Sequence, residues 1–157
     1  MELFDLVKNF RECIDKAKDY GDFKNLCPFD KFPNECCGHV SDLLANYLKD
    51  NGYGNVKIIN GSCFNEYKRS HVWILLNDSI VIDITLDQFQ NEFVDISDDL
   101  VPVYIGEENR LHKMYSKNRF CEKITNVKEK EFDMFGCIES CYQSRLVDLY
   151  NIINKYL

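Results

Sequence analysis

The chain has 157 residues, 45% of them hydrophobic and 29% charged, with a net charge of −7. That size and balance fit one globular domain that buries a core without disulfide or metal staples, and no run of about 18 apolar residues is present to span a bilayer. The negative charge repels phosphate backbones and anionic lipid surfaces, which argues against nucleic-acid and membrane partners.

Leu3, Leu6, Val7, Phe10, Ile14 and Ala17 recur at intervals of three and four, which predicts an amphipathic helix running to Tyr20-Gly21. Residues 22–36 carry Pro28 and Pro33 among aromatic and acidic side chains and read as an irregular, partly buried connection. A second helix is expected from Cys37, with the stripe Val40, Leu43, Leu44, Tyr47 and Leu48, closed by Asn51-Gly52. The period then changes. Residues 56–59, 71–76 and 80–84 are β-branched and aromatic runs of strand length, the last two joined by a hairpin at Asn77-Asp78. Residues 101–105 read as a further strand that Pro102 places at an edge or a strand start. The basic cluster across 113–130 is diluted by Glu122 and Glu129 and reads as a solvated face. Ile138, Cys141, Tyr142, Leu146, Leu149, Ile152 and Ile153 keep a helical spacing from about Gly136 to the end. Helices followed by antiparallel strands and a last helix make an α+β class, in a single domain over residues 1–157.

The opening residues Met1 to Asp5 lack a basic start followed by an apolar stretch, so no secretory signal is read and a cytoplasmic location is expected. The eight cysteines are accordingly expected to be reduced, with Cys13, Cys27, Cys63, Cys121, Cys137 and Cys141 read as small buried hydrophobes. Cys137 and Cys141 lie four apart, and Cys36, Cys37 and His39 are crowded, but neither group supplies the four spaced ligands of a structural zinc site. No metal and no cofactor are expected.

A thiol at a helix N-terminus meets unpaired N–H groups and the positive end of the dipole, which favour the thiolate. Cys37 has that placement. A nearby imidazole completes the activation, and a carboxylate behind it fixes the tautomer; His71 and Asp83, on adjacent predicted strands, can supply both. A carboxylate inside Ile80-Val81-Ile82-Asp83-Ile84 is costly to bury without a partner, which makes Asp83 the most telling of the three.

The pattern resembles the transglutaminase-like branch of the papain-like cysteine enzyme superfamily, small bacterial members included. In that family the nucleophile opens a helix, with a small residue four positions on, leucines seven and eleven on, and glycine fifteen on; from Cys37 these are Ser41, Leu44, Leu48 and Gly52. The family's strand ending in a small turn is matched by Val56 to Gly61, its His-x-Trp strand by His71-Val72-Trp73, and its Asp-x-Thr by Asp83-Ile84-Thr85. The likeness covers about residues 32–105 and departs at Glu35, where the family has a glycine two before the nucleophile. It implies a nucleophile-bearing helix packed on an antiparallel sheet, flanked by N- and C-terminal helices. It also implies acyl transfer through a Cys37, His71, Asp83 triad on a protein or peptide substrate, by hydrolysis, deamidation or transamidation. The oxyanion would be held by the Cys37 N–H and one further donor, with Asn34 and Gln88 as candidates. Trp73 reads as core, with a substrate-lining role as the alternative. Asp87 and Gln88 read as turn or surface residues, with replacement of Asp83 or donation to the oxyanion as the alternative, and His39 and His112 read as surface histidines, His112 being the nearer of the two to a site-lining role. Two other functions fit the pattern: an arylamine N-acetyltransferase-like enzyme, for which the Arg-Gly-Gly approach to the cysteine is missing, and a non-catalytic domain that binds a protein in its groove.

The triad also dictates a hairpin register. A two-residue turn would pair Leu76 with Ser79 and turn Asp83 away from His71. A three-residue connection, Leu76 to Asp78 or Asn77 to Ser79, is therefore expected, with Asp83 opposite or diagonal to His71.

Overall fold

The computed structural model describes residues 2–63 and 69–157. In chain order it contains α1 (Leu3–Asp19), α2 (Cys37–Asp50), β1 (Val56–Cys63), β2 (Arg69–Leu76), β3 (Ile80–Asp83), β4 (Tyr104–Gly106), α3 (Arg110–Met114), β5 (Ser116–Cys121) and α4 (Cys141–Ile153), with short 3-10 helices at Phe29–Lys31, Leu86–Phe89 and Val94–Asp99. The class is α+β. The five strands form one antiparallel sheet in the order β4-β3-β2-β1-β5.

Side chains alternate between the two faces of a strand, and here each face has its own core. Ile58, Ile74, Leu76 and Ile82 pack against Phe10 and Ile14 of α1, Leu44 and Leu48 of α2, and Leu146 and Leu149 of α4. On the other face Ile59, Trp73 and Val81 pack against Leu86, Phe89, Leu100, Leu111 and Tyr115. Among the described residues, no helix is long and apolar enough to cross a membrane.

The β2–β3 hairpin pairs Leu76 with Ile80 and Ile74 with Ile82, so its connection is the three residues Asn77–Ser79. Asn77 and Asp78 both take left-handed backbone, φ 53° and 59°, which suits the right-handed twist of the strands they join. This register puts Asp83 on the face of His71 and Trp73, one step diagonal from the histidine. Gly61 pairs with His71 across β1 and β2, and a Cβ there would stand 2.8 Å from both the Trp73 ring and Tyr115. The missing side chain lets these two aromatic residues close over the strand.

Several expectations need correction. The strand expected over 101–105 is Tyr104–Gly106 instead, because Pro102 cannot donate to a ladder and its carbonyl is taken by Arg11. The solvated face over 113–130 contains β5, whose side chains are nearly all exposed; it is joined to β1 through its backbone and so carries no alternation to read. The last helix begins at Cys141, since the Ser140 hydroxyl accepts the Gln143 N–H and caps it. Residues 131–139 fold back on themselves before it, with Phe132 bridged to Ile138. Of the six cysteines read as buried, Cys13 is; Cys27, Cys137 and Cys141 are exposed, and Cys63 and Cys121 are half-buried. These five lie on loops, at strand ends or on the outer side of α4, where no apolar layer covers them.

Candidate active site

Cys37 is the first residue of α2. Cys36 before it offers no side-chain cap, so the first-turn N–H groups keep their capacity for a ligand. The two thiols have different surroundings. Cys36 is buried, its thiol directed at the Pro33 carbonyl at 3.4 Å, and burial drives its titration far above the ordinary thiol range. Cys37 is half-buried and lines a cleft of about 550 Å³ with Asn34, Glu35, Arg69, Ser70, Gln88, Phe89 and Glu92. β3 pairs with the last residues of β2 alone. The cleft is lined by the start of β2, which pairs with β1 and extends past the end of β3, by the chain that follows β3 and by the first turn of α2.

His71 is fully buried, and its Nε2–H donates to Asp83 Oδ2 at 2.6 Å. Burial by itself would discharge the ring, but the Asp83 carboxylate and then the Cys37 thiol override it and push His71 up to about 10. The other ring nitrogen, Nδ1, is buried without a formed hydrogen bond among the described residues. Cys37 is the second group, after Asp83, that raises the titration of His71.

Asp83 is held on both oxygens. Oδ1 accepts the Thr85 N–H at 2.9 Å and the Thr85 hydroxyl at 3.0 Å. Oδ2 accepts from His71 and, at 3.2 Å, from His112 Nε2. Burial opposes the charge on Asp83, but the His71 cation and the two imidazole hydrogen bonds outweigh it and hold the carboxyl well below its usual range. Both shifts express one interaction, an ionised His71–Asp83 pair.

Those directions fix a pH dependence. The His71 contribution to stability is complete below its ordinary value of 6.5 and is lost as the pH rises toward about 10. The Asp83 contribution is complete above 3.8 and is lost as the pH falls through its lower folded value. Urea midpoints should thus fall between pH 6.5 and 10, and fall less in an Asp83→Asn protein. Equal losses in the two proteins would contradict the ionised pair.

His112 is a correction: it is not a surface histidine but fully buried. α3 begins with a capping box in which Asn109 Oδ1 accepts the His112 N–H at 3.1 Å and His112 Nδ1 accepts the Asn109 N–H at 3.4 Å. The Asn109-x-x-His112 spacing was a legible signal, with histidine where Glu or Gln usually stands. His39 also differs from a surface reading, half-buried against Tyr142 and Phe29, and burial lowers its titration.

Of the other site candidates, Asn34 and Gln88 line the cleft, with Gln88 Nε2 donating to the Thr85 carbonyl at 2.8 Å. Trp73 does not line it. The indole is buried between His71 and His112, with ring centres 5.6 and 5.0 Å away. Asp87 is not a surface turn residue: both its oxygens bind the buried guanidinium of Arg11, at 3.1 and 2.8 Å. Phe89 meets the His71 ring edge-on at 5.0 Å and shields it.

Glu35, two residues before Cys37, has an unusual backbone. Its φ is 61°, left-handed backbone that glycine adopts without steric cost. Glu35→Gly should stabilise the protein by about 1 kcal/mol, since the lost ion pair with Lys31 is between exposed side chains and adds little. An unchanged or lower urea midpoint would contradict this.

His71, Asp83 and His112 bring ligand-type atoms within 4.8 Å of one another. The His71–Asp83 separation of 2.6 Å is a hydrogen bond, shorter than the about 3.3 Å between ligands on a tetrahedral ion with bonds of about 2 Å. Both imidazoles meet the same carboxylate oxygen, Asp83 Oδ2.

No protein-family model, no curated protein and no solved structure matches the chain.

Proposed function

We propose that the protein is a cysteine-dependent acyl-transfer enzyme of papain- and transglutaminase-like type, with Cys37 as nucleophile, His71 as acid and base, and Asp83 as the group that orients and charges His71. One observation carries the reading: a buried imidazole bonded to Asp83 at 2.6 Å through Nε2, with Nδ1 left for the half-buried Cys37 thiol at the start of α2. The imidazolium stabilises the Cys37 thiolate, which attacks an amide carbonyl and forms the C–S bond. The tetrahedral oxyanion is met by first-turn N–H groups of α2, with Asn34 or Gln88 as second donor. His71 gives its Nδ1 proton to the departing amine as the C–N bond breaks. It then takes a proton from water or an acceptor amine, whose attack on the thioester frees the thiolate.

The cleft lining is polar apart from Phe89, which suits the amide of a protein or peptide better than a long apolar acyl chain. p-Nitrophenyl acetate is a generic test of the step. Wild-type protein should release a stoichiometric burst of nitrophenol and carry one acetyl group on Cys37, and Cys37→Ala protein should do neither. No burst and no adduct in the wild type would contradict the reading.

A further inference from the structure

Two buried imidazoles converge on one carboxylate oxygen, and the triad uses only one of them. His112 has no exposed surface and packs beside Trp73 and Tyr104, ring centres 5.0 and 5.6 Å away. A leucine would fill that space without needing polar partners. An imidazole there must satisfy both nitrogens, and each has a partner on the polypeptide. Because Nδ1 accepts the Asn109 N–H, the proton sits on Nε2, and the bond to Asp83 Oδ2 at 3.2 Å is a donation. The cap at the start of α3 thereby sets the tautomer of a side chain inside the site.

We infer that His112 is a positioning residue of this centre, which by sharing Asp83 Oδ2 with His71 keeps the carboxylate aimed and limits how tightly it holds the His71 proton. The inference rests on the proposed role of His71. A second N–H on the same oxygen withdraws negative charge from it, and the positive end of that N–H also faces the His71 proton. Both effects oppose the charge on His71. An acid–base group works best when its proton affinity lies near the working pH, and Asp83 with Cys37 already pushes His71 up to about 10. The titratable groups facing the two rings are Asp83 of β3, Cys37 of α2, Tyr104 of β4 and Tyr115 ahead of β5. Of these, Asp83 alone bonds both rings.

The test is an imidazole NMR titration of wild-type, His112→Gln and His112→Leu proteins. In His112→Leu, whose side chain cannot donate, the midpoint for loss of the His71 proton should rise by about one pH unit. In His112→Gln, whose amide can donate to Asp83, it should stay near the wild-type value. An unchanged or lowered midpoint in His112→Leu would overturn the inference, since a purely structural core residue would not raise it. Should that variant not fold, the wild-type spectra decide. A His112 ring protonated at Nε2 and bare at Nδ1 supports the inference, and one protonated at Nδ1 alone overturns it. The measurement reads ring protons and not turnover, so its failure is separate from a missing acetyl burst at Cys37.

Discussion

His71→Gln protein should alkylate at Cys37 about 100-fold more slowly than wild type at pH 6, where an ordinary thiol is less than about 1% thiolate. The expectation rests on the proposed mechanism, in which the His71 charge, raised by Asp83 against burial, activates the thiol of Cys37. Glutamine can still donate to Asp83 Oδ2, so the buried carboxylate keeps a partner and the sheet keeps its register. It cannot hold a titrating proton. Iodoacetamide rates resolved by cysteine would check this, with Cys63 and Cys121 as internal controls that should not change. A Cys37 rate within a few-fold of wild type would show that His71 does not activate the thiol.

The second large effect is expected far from the cleft, at Arg11 on α1. Its side chain is 8% exposed and bonds Asp15 through Nε, Asp87 through both terminal nitrogens, and the carbonyls of Ile84 and Pro102. The guanidinium also lies over the Phe32 ring, 4.6 Å from its centre. It ties α1 to the segment that follows β3 and carries Thr85, the residue that holds Asp83 Oδ1. Arg11→Met would leave Asp87 and two carbonyls without this donor, and removing one partner of a buried pair costs about 3–5 kcal/mol. We expect the lower end, about 3 kcal/mol, because Asp87 is 15% exposed and water can reach it. Adding Asp87→Leu should restore a large part of the loss by removing the orphaned charge. Urea midpoints of the single and double variants would test this; a loss below about 1 kcal/mol, or no recovery, would contradict it.

The parts of the molecule legible in the sequence are those whose burial is periodic. α1 and α2 were marked by apolar residues at intervals of three and four, and both stripes lie in the core. The parity of the β2–β3 hairpin followed from a requirement placed on two side chains, and the pairing of Leu76 with Ile80 meets it. Asp83 stood out because an apolar strand makes a carboxylate expensive, and three residues supply its donors. What was illegible lacked such a signal. β5 is exposed along nearly its whole length. The helical spacing of Ile138, Cys141 and Tyr142 ran on through Ser140, where a cap and not hydrophobicity sets the start of α4. His112 lies 29 residues beyond the carboxylate it serves, on a helix of five residues too short to show a period, and its capping-box spacing marks the start of that helix but not its burial beside Asp83. Arg11 sits within the apolar stripe of α1 and is buried, and nothing in the spacing of its apolar neighbours marks it as an anchor.

In the proposed mechanism Cys37 is set apart by the ring beside it and not by its exposure. Site-resolved iodoacetamide labelling of the wild-type protein at pH 6 separates the two causes. Cys27, Cys137 and Cys141 are exposed whereas Cys37 is half-buried, so accessibility alone would label those three first. We expect Cys37 to react about 100-fold faster than any of them; labelling in the order of exposure, with Cys37 no faster than the rest, would contradict the proposed mechanism.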